Sequence, residues 1–151
     1  MSIASSGVEG SDRVPSGNTS FGDPPEQGTD AQADPPWLDP EVLLDMEDQL
    51  GGPAIPLAFA RDYARLWDQR QRALVVAIED EDRDAALDAV ISVKVSSAMV
   101  GGARMSRLAE SLETCIRNGD FPAGRALLDT FAGYGAATVN ELRTRYITKA
   151  I

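Results

Sequence analysis

The chain of 151 residues contains no histidine. That absence excludes a Ser-His-Asp triad, a Cys-His pair, an imidazole metal ligand and a phosphohistidine on this chain. Cysteine is almost as scarce. Cys115 alone cannot close an intrachain disulfide or furnish a multi-cysteine zinc or iron–sulfur site. No run of 18 apolar residues occurs, so no segment reads as a membrane span. Basic residues are outnumbered, 14 against 24 acidic, for a net charge of -10 and a pI of about 4.4. Such a chain is repelled by a nucleic-acid backbone and attracted to a basic or cation-presenting protein surface. Residues 1–10 lack the positive charge and apolar run of an export signal, and a cytoplasmic location is expected. Carboxylate chemistry, lysine chemistry or no chemistry at all remain open.

Composition divides the chain into two parts. Residues 1–36 hold five of the nine prolines, five of the thirteen glycines, six acids and one base, Arg13. Their apolar side chains, Ile3, Val8, Val14 and Phe21, are too few to offset the entropy of ordering. This stretch is expected to be a disordered acidic tail, either an inert leader or a functional segment. Residues 37–151 are long enough for one compact domain.

That domain reads as helical. Asp39-Pro40-Glu41 combines an N-cap oxygen, a proline at the first helical position and an acid near the positive helix end. The short helix it opens stops at Gly51-Gly52-Pro53. A long helix from Ala54 carries an expected stripe of Phe59, Tyr63, Leu66, Ala73, Leu74, Ala77 and Ile78, opposite Arg61, Asp62, Arg65, Asp68 and Arg72. The acidic run Glu79 to Asp82 interrupts it; without the glycine and oxygen spacing of a calcium loop, that run reads as solvated. Asp82 caps a third helix with the stripe Ala86, Val90, Val93, Ser97 and Val100, broken by Gly101-Gly102. A fourth carries Met105, Leu108, Ala109, Leu112, Cys115 and Ile116 up to Asn118-Gly119. Asp120 caps a fifth through Tyr146, in which Gly133 and Gly135 are local weak points. No segment alternates as a strand. The expected fold is all-α: an antiparallel up-down-up-down four-helix bundle, with the short first helix across one end.

The third and fourth helices resemble the histidine phosphotransfer (HPt) domain of bacterial phosphorelays. Its histidine helix reads roughly A-H-x-L-K-G-S-S-x-x-x-G, and Val90-Ile91-Ser92-Val93-Lys94-Val95-Ser96-Ser97-Ala98-Met99-Val100-Gly101 lies in that register. Leu112-Glu113, Arg117 and Gly119-Asp120 follow at the family's spacing. The resemblance spans about residues 43–147 and implies a role in phosphorelay signalling beside receiver domains. It also puts Ile91 at the phosphohistidine position and Val95 at that of a glycine which lets the receiver approach. Lys94 keeps the family's lysine. Isoleucine has no lone pair and cannot be a nucleophile. Val90, Ser92 and Lys94, brought in by sliding the register, cannot relay phosphate either.

Ile91 and Val95, four apart, share a helix face away from the expected core stripe. With Ser92, Lys94 and Ala98 they form the candidate partner-binding set, and no catalytic residue, metal ligand or cofactor is called for. Three outcomes are open for the aliphatic pair: a dry docking patch, an idle surface, or burial in a wider core. Lys94 reads as a solvated rim charge, Cys115 as inert core, and Trp37 beside Pro35-Pro36 as a pin between tail and bundle. The expected function is non-enzymatic: a degenerate HPt module that docks a receiver domain or related partner. The alternative is a structural bundle that self-associates through the same patch.

Overall fold

The structure, a computed structural model, describes residues 35–150. The expected acidic tail lies outside the described residues except for Pro35 and Pro36. Six α-helices occur among the described residues: α1 (Pro40–Leu50), α2 (Ala54–Glu79), α3 (Arg83–Met99), α4 (Ala103–Arg117), α5 (Phe121–Ala126) and α6 (Leu128–Leu142). Their starts follow side-chain capping. Asp39, Asp82 and Asp120 each accept a backbone N–H of the first turn, from Glu41 at 3.0 Å, Ala85 at 3.1 Å and Ala123 at 3.1 Å.

Four long elements form a square: α2 packs on α3, α3 on α4, α4 on α6 and α6 on α2. The turns between them are short, so neighbours run antiparallel and the bundle is up-down-up-down. Helix α1 lies where α2 starts, α3 passes into α4, and α6 ends. There the Asp39 N–H donates to the Gly101 carbonyl at 2.8 Å, and the Tyr146 hydroxyl donates to Glu47 at 2.6 Å. Gly101 has φ +84, and a Cβ on it would run into the Asp39 carbonyl. The α3–α4 turn therefore requires glycine on both counts.

The α3 stripe is buried as expected: Ala86, Val90, Val93, Ser97 and Val100 are all at most 1 % exposed. Helix α2 departs from its expected stripe in the first half. Ala60, Ala64 and Trp67 are buried beside Tyr63, whereas Phe59 is exposed, as is Ala73 further along. The inward face there is built from alanines because an aromatic cluster needs the room. Trp67 stacks on Tyr63 with ring centroids 6.1 Å apart and meets Phe131 at 5.2 Å. Gly135 of α6 lies under the indole, where a Cβ would fall inside Trp67. The expected weak point is thus a packing requirement, while Gly133 faces open space.

The expected last helix is divided. The chain turns at Leu127 between α5 and α6, and Arg143–Ile147 forms a π turn. Cys115, expected in the core, is half-buried. Trp37 is tied down: the Arg104 guanidinium sits 4.1 Å from its ring centroid, and the Tyr134 ring meets it edge-on at 4.9 Å. Arg104 also donates to the Pro35 carbonyl at 2.7 Å, so the bundle's contacts begin two residues before the expected boundary.

Candidate functional site

The five candidate residues sit on the outer side of α3, but they do not form one patch. Val95 stands on the crest, 49 % exposed. Ile91, one turn earlier, is half-buried and packs against the core, so the two aliphatic side chains differ in exposure. Lys94 and Ala98 turn toward α4 and line a groove of about 330 Å³ with Asp39, Ser106, Arg107 and Glu110. Ser92 turns the other way, into a groove of about 350 Å³ between α2 and α3 that Arg70 and Asp88 flank. The α3 surface is a ridge between two shallow grooves.

Lys94 is not a solvated rim charge. Its ammonium donates to Glu113 Oε1 at 2.6 Å, and Arg117 donates to Glu113 Oε2 through Nε at 2.9 Å and Nη2 at 2.7 Å. Glu113 is only 8 % exposed. The hydrogen bond from Lys94, followed by those from Arg117, holds its carboxyl below the usual carboxylate range despite the opposing effect of burial. One carboxylate thereby fixes the lysine of α3 and the arginine of α4 in a three-charge cluster. The Ser106 hydroxyl adds a hydrogen bond to the Lys94 carbonyl at 3.2 Å, a second tie between α3 and α4. The sequence offered one signal for this: Glu113 and Arg117 stand at i,i+4. Nothing in the spacing pointed across to Lys94.

Below the ridge, the Tyr63 and Ser97 hydroxyls share a buried hydrogen bond of 2.7 Å between α2 and α3. Ser97, expected as part of the buried α3 stripe, is therefore also a polar partner. Burial pushes the Tyr63 phenol up to about 12, with Ser97 pulling the other way.

Chemically, the ridge can bind but offers little to react. It presents an aliphatic crest, a hydroxyl on one slope and a neutralised lysine on the other. No group of acidic or cysteine side chains among the described residues is placed to hold a metal ion. Three of the four acids at the α2–α3 turn are committed otherwise, Glu79 and Glu81 pairing with Arg125 at 3.3 and 2.7 Å and Asp82 capping α3. No helix among the described residues is long and apolar enough to cross a membrane.

The described residues thus form a square helical bundle with a ridge borne on α3. Residues 57–146 match the model of the Hpt domain, more than half of the chain, and the chain belongs to that family of phosphorelay signalling proteins. The crystal structure of histidine-containing phosphotransfer protein B (HptB) from Pseudomonas aeruginosa PAO1 has the same fold. It matches with a TM-score of 0.65 and 20 % identity, covering 72 % of this chain and 92 % of that one. No curated protein matches the chain. Members of the family carry phosphoryl groups rather than catalyse turnover, and they interact with receiver domains.

Proposed function

We propose that this protein is a non-catalytic HPt module, cytoplasmic, which carries no phosphohistidine and docks a receiver domain through the α3 ridge. One observation carries the reading: a chain that belongs to a family defined by a phosphorylated histidine contains no histidine. The register places Ile91 at the reactive position, and an aliphatic side chain can neither attack an aspartyl phosphate nor hold a phosphoryl group. What such a ridge retains is shape and apolar surface. Val95, with the accessible parts of Ile91 and Ala98, supplies an apolar crest, bordered by Ser92 on one slope and by the Glu113-paired Lys94 on the other. Bound there, the protein occupies a receiver without loading or unloading it, and so competes with phosphotransfer.

Restoration tests the register. The Ile91→His/Val95→Gly variant is expected to take up label from a phosphorylated receiver, and the wild type to take up none. A folded double variant that stays unlabelled with every receiver that binds the wild type would overturn the placement of Ile91. Self-association through the same crest is the alternative. It would be supported if the wild type sedimented as a dimer and Val95→Asp as a monomer.

A further inference from the structure

On the edge of the square opposite the α3–α4 groove, α2 and the C-terminal turns enclose a groove of about 580 Å³ lined by Arg61, Arg65, Asp68, Arg143, Ile147 and Thr148. It continues along α2 and α6 as a second hollow of about 320 Å³, which shares Ala64, Asp68 and Arg143 and is bordered by Ala132 and Ala136. The lining is mixed: alanines and Ile147 alternate with polar side chains, and three arginines stand against one carboxylate, Asp68. Arg65 is paired with Asp62 at 3.0 Å, but among the described residues Arg61 and Arg143 have no carboxylate at ion-pair distance. Two guanidiniums on one groove without an ion-pair partner among the described residues are notable in a chain of net charge -10. The backbone is irregular at the same place. The π turn spans Arg143–Ile147, and the Thr148 N–H closes it on the Arg143 carbonyl. That wider turn brings Arg143, Ile147 and Thr148 to one lining. A π turn departs from regular helix geometry, is rare, and frequently lies at functional sites.

We propose that this groove binds an acidic segment of a partner protein, one whose apolar side chains rest on Ala64, Ala132, Ala136 and Ile147 while its carboxylates reach Arg61 and Arg143. Guanidinium–carboxylate pairing supplies orientation, and the apolar part of the lining supplies burial. A nucleic-acid strand fits less well. It would leave the apolar part of the lining unused, and its closely spaced phosphates would meet the repulsion of the acidic chain at every step, whereas a short acidic segment places its few carboxylates at the arginines alone. The surface is distinct from the α3 ridge, so the bundle holds two partners on opposite edges.

The test is fluorescence anisotropy on the full chain, with three labelled probes of equal length: a Glu/Leu peptide, its Lys/Leu counterpart and a single-stranded oligonucleotide. The acidic peptide is expected to bind the wild type and Val95→Asp alike, and to bind Arg61→Glu/Arg143→Glu at least tenfold more weakly. Binding should weaken with added salt and persist in Arg61→Lys/Arg143→Lys, with helicity by circular dichroism unchanged throughout. Equal affinity of the acidic peptide for the wild type and the charge-reversed variant would overturn the proposal. So would a stronger response to either of the other probes, or no binding by the wild type.

Discussion

The two sides of α3 have different obligations. Its inner residues, Ala86, Val90, Val93, Ser97 and Val100, are sealed against α2 and α4, and none can change size without a cost to the core. Its outer residues, Ser92, Val95 and Ala98, touch little of the bundle. A helix built this way can lose the chemistry on one side while the packing on the other keeps the fold. That separation explains how a member of the Hpt domain family can lack every histidine and still form the family's bundle.

Substitutions that attack each side in turn sharpen the contrast. The largest effect is expected at Gly135→Ala. Displacing the Trp67 indole from its seat between Tyr63 and Phe131 costs about 3 kcal/mol. Alanine's better helix propensity returns about 1 kcal/mol, leaving a net loss of about 2 kcal/mol by urea denaturation. Glu113→Ala comes next at about 1.5 kcal/mol, because Lys94 and Arg117 lose a shared, largely buried acceptor. The same residue gives the wild type a pH signature. A carboxyl held low in the fold contributes fully above the unfolded carboxylate value. That contribution fades as pH falls through the lower native value, so denaturation midpoints should drop in acid more for the wild type than for the variant.

Tyr63→Phe is expected to cost about 1 kcal/mol by removing the buried bond to Ser97. It should also blunt alkaline unfolding. The buried phenol titrates near 12 against 10.0 when unfolded, so its neutral form favours the fold below 10 and that advantage is lost as pH rises toward 12. Val95→Asp, on the crest, should change stability by less than about 0.5 kcal/mol.

The helix boundaries written in local chemistry were legible, an aspartate cap at three starts and glycine or acidic breaks between elements, whereas the division of the expected last helix at Leu127 and its closing π turn carry no such signal. The α3 stripe was legible for a related reason, since its inward positions are all small or aliphatic at helical spacing. The first half of α2 was not. A stripe drawn through large side chains selects Phe59, but the bundle has room there only for Ala60 and Ala64, because Trp67 fills the space from a turn away. Gly135 shows the same limit, a residue whose reason lies on another helix. So does Glu113, whose partner Lys94 is nineteen positions distant. At the candidate site the sequence identified the outer residues of α3. It did not show that they divide over a ridge, or that Ile91 leans into the core.

The most direct measurement is titration of a purified receiver domain into the wild type and into Val95→Asp, with radiolabelled receiver phosphate followed in parallel. The account predicts that the wild type binds without acquiring label, and that Val95→Asp, equally folded, binds at least tenfold more weakly. Label on the wild-type chain, or binding indifferent to Val95→Asp, would contradict it.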